Sequence, residues 1–517
     1  MASTRDEAVP DDDSRTSAVR VIGDIHELLL DLSQSDHHSP DMAPTTLAQR
    51  KWGMKDIAAL WISMSACITT YTLASSLIAG GMNWWQAVLT IFLGNVVVLI
   101  PMVLNAHPGT KYGIPFPVYC RAAFGLRGAN VPALLRAFVA CGWFGIQTWI
   151  GGSAIYTILA IYNPAWSKLD NWALGINLPQ FLCFMVFWAI NMVVVYRGIE
   201  TIRFVLNLKA PLLIGLGLLL LGWAYKQAGG FGPILSQPSK FIPGGEKAGQ
   251  FWLFFFPALT ANVGYWATLS LNIPDFSRYA YSQRDQIAGQ ALGLPTTMAL
   301  YSFIGVAVTS ATIVIYGKEI WDPVQLLTKF SNPLLLVVAM FALCLATLAT
   351  NIAANVVSPA NDFAHLWPKR ISFRTGGLIT GVIGIAMQPW KLYADPTGYI
   401  FRWLIAYGAL LGAVGGILIA DYYVLRRRRL DLTGLYQERG PYRYSAGVNM
   451  RAVVALLLGI APCVPGFLAQ VGLLTLPPDS MWLRMYDYAW FISFGVAGIA
   501  HLMLGAGRAA GARSQSL

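Results

Sequence analysis

Charge is scarce in this sequence. Asp, Glu, Lys and Arg make up 12% of the 517 residues, about half the share of an ordinary soluble domain. So little charge cannot cover the water-facing surface of so long a chain. A soluble protein with a large core is excluded by run length too. Its buried apolar segments reach about 10–14 residues, whereas those here repeatedly reach about 20. Cysteine and histidine are sparse as well. The six Cys (Cys67, Cys120, Cys141, Cys183, Cys344, Cys463) and six His are scattered, and no spacing suggests a metal site or a disulfide framework. No phosphate-cradling P-loop, dinucleotide-binding glycine fingerprint or HExxH occurs. Each of those motifs carries its own chemistry, so an ATP-driven pump and the common soluble enzymes have no support. No cofactor is expected beyond a coupling ion.

Apolar residues, in contrast, make up 56% of the chain, and mean hydropathy is +0.53. Segments of spanning length lie near 57–80, 83–104, 130–160, 177–198, 203–225, 250–272, 287–316, 332–357, 373–390, 398–424, 449–474 and 482–505. Lipid offers their backbones no hydrogen bonds, so they are read as helices. The fold class is therefore an all-α polytopic membrane protein of about twelve transmembrane helices. An even number puts both termini on one side. Loops on that side carry 17 Lys and Arg, from Lys111 to Arg451, and the opposite loops carry 8. The imbalance predicts an inner (plasma) membrane protein with cytoplasmic termini. The net charge of +11 then reflects orientation and not a nucleic-acid partner. The run Arg426 to Arg429 follows an apolar helix and reads as a stop signal in contact with anionic lipid. Residues 1–50 are polar, include Asp11, Asp12 and Asp13, and lack the apolar core of a signal peptide. They are expected to form a largely disordered cytoplasmic tail, with a short helix over Val19–Leu32.

Polar residues cluster at mid-depth in two segments. The first reads Ser63-Met-Ser65-Ala-Cys67-Ile-Thr69-Thr70, and the sixth reads Thr260-Ala-Asn262-Val-Gly264-Tyr265-Trp266. They lie five segments apart, as in two inverted halves whose broken helices meet at a mid-membrane site. Close packing by small residues is the competing reading. Segment 3 contains Trp143 and Gln147, four apart and so on one face. An indole and an amide suit a small, flat, polar ring. A packing role for the tryptophan is the alternative, although Gly142 and Gly145 leave space beside it. In segment 8, Thr347, Asn351 and Asn355 form a polar stripe with Thr350 alongside, and such groups usually face the bundle interior. Gly408, Gly412 and Gly416 mark a close-packing face in segment 10, and Asp56 and Asp421 sit at helix ends. Lys209 lies two residues before Pro211. It either snorkels to the interface or, pointing inward, is a functional candidate.

Four runs carry a resemblance: Gly109-Thr-Lys-Tyr-Gly-Ile-Pro-Phe-Pro-Val118, Trp143-Phe-Gly-Ile-Gln-Thr-Trp149, Asn272-Ile-Pro-Asp-Phe-Ser-Arg278 and Thr350-Asn-Ile-Ala-Ala-Asn-Val-Val-Ser-Pro359. With Asp421-Tyr-Tyr-Val and Gly434-Leu-Tyr436, they make the chain resemble the nucleobase–cation symporter family over about residues 52–470. In wording they are nearest to its allantoin and uracil permeases. The resemblance implies a leucine-transporter-type inverted repeat of five plus five helices, with two peripheral helices and alternating access. Residues 51–225 would form the first repeat and 226–425 the second. Residues 426–507 would form a basic loop and the last two helices, and 508–517 a tail. Trp143 and Trp266 match the tryptophans on the two faces of the substrate ring. Gln147 and Asn355 match the amides on its ureide edge, and Gly264 and Tyr265 match the unwound part of helix 6. Cys67 stands where hydantoin-transporting members have Gln, and Tyr265 where they have Gly. In sodium-coupled members the ion lies between helices 1 and 8, at positions matching the carbonyls of Ser63, Ala66 and Ala346 and two hydroxyls. Thr350 supplies one of those hydroxyls, and Ala349 replaces the other. Lys209 falls where some proton-coupled relatives of this fold place a lysine.

The resemblance therefore implies import of a neutral planar nitrogen heterocycle such as allantoin or uracil, with proton coupling. The alternative within the class is a hydantoin or cytosine permease coupled to sodium. A membrane enzyme would show an ionisable cluster at one depth. A channel would show polar faces on several unbroken helices. The oligomeric state is left open, and a monomer suffices.

Overall fold

Wherever the sequence stays apolar for a membrane's width, the backbone closes its own hydrogen bonds in a helix, as hydrocarbon surroundings require. The computed structural model describes residues 19–514 apart from 31, 33, 34, 36, 38–41, 173, 198–202, 331, 368, 369 and 397. The side chains of 203–210, 361, 365 and 506–514 also lie outside the description. Lys209 is among these, so its helix is described and its side chain is not.

Two short strands, β1 (Val19–Ile22) and β2 (Ile25–Leu28), precede the helices. The first half then runs α1 (Met54–Ser65), α2 (Ile68–Gly80), α3 (Trp84–Tyr112), α4 (Phe116–Phe124), α5 (Asn130–Tyr162), α6 (Leu178–Arg197) and α7 (Arg203–Gln227). After α8 (Phe231–Leu235) come α9 (Phe251–Tyr265), α10 (Ala267–Asn272), α11 (Pro274–Ser277), α12 (Gln283–Tyr316), α13 (Pro323–Leu327), α14 (Pro333–Thr350) and α15 (Val357–Leu366). The chain ends with α16 (Phe373–Ala386), α17 (Pro389–Leu392), α18 (Ile405–Ile419), α19 (Met450–Ile460), α20 (Val464–Gln470), α21 (Met481–Asp487) and α22 (Ala489–Ser514). Each of the twelve apolar segments coincides with a helix or a broken helix. Among the described residues, seven helices are long and apolar enough to cross a membrane. The number is nine if the bent pairs α1–α2 (59°) and α21–α22 (91°) each count as one span. Pro211–Gln227, α9 and α16 are shorter apolar helices.

Helix ends follow local chemistry. Asn83 accepts from the Gln86 amide while Gln86 returns a bond to the Asn83 amide, a reciprocal cap that starts α3. Ser282 caps α12 through the Asp285 amide at 3.1 Å. The expected glycine face of α18 packs on α22. A Cβ on Gly412 would lie 2.5 Å from Ser493 Oγ, and one on Gly416 would strike the Phe494 carbonyl.

The N-terminal segment departs from expectation. Among the described residues of Val19–Leu32 no helix forms. Val19–Ile22 and Ile25–Leu28 pair antiparallel across Gly23-Asp24, and Gly23 has φ +61°. Alternating β-branched residues around a glycine-containing two-residue turn favour a hairpin over a helix. The tail expected to be largely disordered is also anchored where it is described. Asp24 pairs with Lys111 at 3.0 Å, Arg50 donates to the carbonyls of His26 and Thr110, and Tyr436 Oη donates to Met42 O at 2.7 Å. Gly505, near the end of α22, packs on Leu425. Both described ends of the chain therefore meet one face, that of the arginine-rich 426–449 loop.

Candidate functional site: an uncharged cavity between two broken helices

Two of the apolar helices break at mid-length. Between α1 and α2, Ala66 and Cys67 leave helical geometry, and Cys67 is fully extended (φ −149°, ψ 161°). Between α9 and α10, Trp266 interrupts the ladder (φ −101°, ψ 8°). Freed backbone groups at membrane depth are tolerated only inside protein or beside a cavity. The two breaks are bolted together. Tyr265 Oη meets Thr69 Oγ1 at 2.8 Å, Thr70 Oγ1 at 3.1 Å and Cys67 Sγ at 3.3 Å.

Beside this bolt lies a cavity of about 210 Å³. Its walls include Ser63, Cys67 and Thr69 from the first break, and Tyr265 and Trp266 from the second. Trp143 and Gln147 come from α5, and Thr350 and Asn355 from the α14–α15 region. Among the described residues no charged side chain lines it. The sequence-derived candidates Trp143, Gln147, Tyr265, Trp266, Asn355 and Cys67 thus converge on one space. Gly264 does not line it. A Cβ there would lie 2.7 Å from the Leu404 carbonyl, so this glycine lets α9 approach the start of α18. Gly142 and Gly145 do not leave open space beside Trp143 either. A Cβ on Gly142 would strike Trp403, and one on Gly145 would lie 2.6 Å from Gly384 O. Of the cation-site candidates, Ser63 and Thr350 line the cavity, whereas Ala66, Ala346 and Ala349 are fully buried and do not. Thr350 Oγ1 donates to Ala346 O at 2.9 Å.

The two asparagines of the polar stripe take different parts. Residues Asn351–Val356 form a π-helical turn between α14 and α15. Such a wide turn inserts an extra residue and re-aims side chains, often at functional sites. Asn351 Nδ2 reaches Phe144 O (3.3 Å), Thr148 Oγ1 (3.1 Å) and Asn191 Oδ1 (3.2 Å), and its Oδ1 accepts from Asn355 Nδ2 at 3.0 Å. Asn351 therefore ties α5 and α6 to this turn and fixes Asn355. With its Nδ2 engaged, Asn355 has its carbonyl oxygen left to offer. Gln147 Oε1 and Trp266 Nε1 are buried with no partner among the described residues. A buried polar atom left unpaired costs about 1–3 kcal/mol. Three elements therefore hold hydrogen-bonding capacity that the protein itself does not use.

Aromatic rings wall off one end. Trp143 stands edge-on to Tyr265 (5.4 Å), Trp403 (5.9 Å), Tyr407 (6.2 Å) and Tyr399 (6.2 Å). Beyond them Tyr393 packs on Trp321 at 5.1 Å and bonds Thr72 Oγ1 at 2.9 Å. Sequence reading missed this wall, although Tyr399, Trp403 and Tyr407 repeat every four residues. At the other end Met64, Leu269, Ala353 and Ala354 are shared with a further cavity of about 280 Å³. That second space reaches Met42 and Trp52 of the N-terminal segment. It contains the ion pair Arg136–Asp362 (3.1 Å, both 1% exposed) and Asp275, which accepts from the Phe116 amide at 2.8 Å.

The model of a family described as permeases for cytosine/purines, uracil, thiamine and allantoin matches residues 44–493. The chain is 47% identical over 468 residues to a purine-uracil permease of Arabidopsis thaliana, covering 90% of this chain and 77% of that one. It is 40% identical over 467 residues to the allantoin permease of Bacillus subtilis, covering 90% and 92%. Among solved structures it is similar to Mhp1, a nucleobase-cation-symport-1 family transporter. Against the inward-facing conformation the TM-score is 0.74, at 26% identity over 92% of this chain and 95% of that one. Against the closed conformation with bromovinylhydantoin bound it is 0.72, at 25% identity over 90% and 95%.

Proposed function

The chain belongs to the family of permeases for cytosine/purines, uracil, thiamine and allantoin, and from that premise we propose that it imports a neutral, planar cyclic amide or ureide such as allantoin or uracil. It is a membrane transporter of that family and not an enzyme. One observation carries the substrate reading: an uncharged cavity joins two indoles to two amides whose hydrogen-bonding capacity is partly unused. Absence of charge suits a neutral ligand. The carbonyl of Asn355 and Oε1 of Gln147 each call for an N–H, and the Trp266 N–H calls for a carbonyl. A ring with alternating N–H and C=O groups answers all three.

Several finer readings go with this proposal. Twelve spans arranged as two inverted repeats (51–225 and 226–425) agree with the two breaks lying in α1–α2 and α9–α10. The arginine-rich face that holds both described chain ends is the cytoplasmic one by charge. The second cavity on that side, which shares four lining residues with the central one, and the aromatic cluster around Trp143 accord with an inward-directed state. A cation drives uptake, and Ala349 in place of a hydroxyl, together with Lys209 on α7, favours a proton over sodium.

The test is uptake of radiolabelled allantoin and uracil into cells expressing the protein, with and without sodium and a protonophore, beside Asn355→Ala. Saturable uptake that the protonophore abolishes, sodium leaves unchanged and Asn355→Ala removes is the expected outcome. Robust stimulation by sodium would contradict the proton reading. A proton dependence that survives Lys209→Ala would contradict the role given to Lys209.

A further inference from the structure

A separate cavity of about 830 Å³ opens on the arginine-rich face, between the end of α18, the 426–449 loop, the start of α19 and the end of α22. Its polar lining includes Arg426, Tyr444, Asn449, Arg451, His501 and Asp421. Asp421, expected at an interface, is 3% exposed; Arg426 pairs with it at 2.5 Å, and His501 Nε2 lies 3.1 Å from its other oxygen. Arg426 also donates to Tyr444 Oη and Ala122 O, both at 2.6 Å, which fixes its position. Two groups remain for a ligand. Arg451, exposed on the first turn of α19, has no ion-pair partner among the described residues. His501 is 1% exposed, and its Nδ1 has no partner there. With Nε2–H donated to Asp421, the imidazole keeps Nδ1 as an acceptor for a hydroxyl.

The surroundings are basic and preshaped. The 426–449 loop carries six arginines against Asp431 and Glu438. Four of its non-glycine residues, Arg427 (φ 50°), Arg428 (62°), Tyr444 (46°) and Ala446 (53°), hold left-handed backbone. Such conformations persist only where the surroundings over-determine them. Exposed apolar side chains continue on the same helices: Val454 and Leu457, three and six residues after Arg451 on α19, and Met503 on α22, 40%, 62% and 74% exposed.

We propose that this cavity binds the headgroup of an anionic phospholipid, with its phosphate on Arg451, a headgroup hydroxyl donating to His501 Nδ1 and its acyl chains along the exposed apolar side chains of α19. A basic pocket between helix ends at the cytoplasmic interface supplies the charge such headgroups need. The apolar side chains that follow Arg451 on α19 give acyl chains a contact that a free anion cannot make, and competition by inorganic phosphate separates the two. The inference rests on membrane placement and is independent of the substrate.

The full-length protein is reconstituted into nanodiscs of phosphatidylcholine with and without phosphatidylglycerol. Retained lipid is counted by native mass spectrometry after extraction. The expected result is selective retention of phosphatidylglycerol, lowered about fivefold by Arg451→Gln, lowered also by His501→Gln, and unaffected by millimolar inorganic phosphate. Both variants keep substrate binding in phosphatidylcholine, which shows that they are folded. Equal retention of the two lipids would overturn the proposal, as would wild-type retention by both variants. Displacement of phosphatidylglycerol by inorganic phosphate would also overturn it and would mark a soluble-anion site instead.

Discussion

The central cavity and its neighbour on the arginine-rich side share four residues, Met64, Leu269, Ala353 and Ala354, yet they differ in charge. In the neighbour the buried charges of Arg136 and Asp362 hold each other at 3.1 Å, and Asp275 is engaged by the Phe116 amide, Asn272 and Ser358. In the central cavity, charge is absent among the described lining residues, and Gln147 and Trp266 keep atoms with no partner. A polar group whose partner is protein holds the structure together. A polar group facing a space with no partner is held in reserve for a ligand. Asn351 and Asn355, one turn apart, show both cases within six residues.

That contrast can be broken by experiment. The largest effect is expected in the neighbouring region. Arg136→Met leaves Asp362 buried and unpaired, and should lower stability by about 3–5 kcal/mol. The double variant Arg136→Met/Asp362→Leu should recover most of it, since a buried ion pair is often replaceable by apolar packing. Thermal denaturation of the purified protein reads both. Equal destabilisation by the single and double variants would show that the pair does more than satisfy itself. The next effect lies in the central cavity. Asn355→Ala should weaken ligand affinity by about 1–3 kcal/mol, or roughly 5- to 150-fold, and lower stability by no more than that through the loss of the partner of Asn351 Oδ1. A loss of fold without a selective loss of affinity would place Asn355 with Asn351 as a structural residue. The smallest effect concerns the bolt between the breaks. Tyr265→Phe removes the hydroxyl shared by Thr69, Thr70 and Cys67 and should cost about 0.5–1.5 kcal/mol. It should appear as a lower maximal uptake rate with little change in half-saturation, as initial-rate measurements would show.

The positions of the helices were legible because lipid allows a spanning chain few alternatives. The polar breaks were legible because polar and small residues cluster at mid-depth in two segments that lie five apart. Trp143 and Gln147 were legible as a face by their spacing of four. What escaped depends on distant parts of the chain. Nothing near Tyr265 in sequence announces Thr69, 196 residues away. The separate parts of Asn351 and Asn355 follow from a π-helical turn that a regular 3.6-residue period hides. Gly142 and Gly145 read as room beside Trp143 and Gly264 as part of an unwound helix lining the site, but neighbouring helices fill the space at all three, because a missing Cβ serves close packing equally well. Asp421 read as interfacial because it ends a helix, and its partner His501 lies 80 residues away. The N-terminal hairpin was open to local reading, since β-branched residues flank Gly23-Asp24.

The most direct test of the central claim is ligand binding by the purified protein, followed through tryptophan fluorescence. Uracil and allantoin are compared with ring-N-methylated analogues, on wild type and on Asn355→Ala. The account predicts saturable binding of a parent ring, about tenfold or greater weakening by methylation of the engaged N–H, and little further loss when that analogue meets Asn355→Ala, because both changes remove one hydrogen bond. Equal affinity for parent and methylated rings, or unchanged affinity in Asn355→Ala, would contradict it.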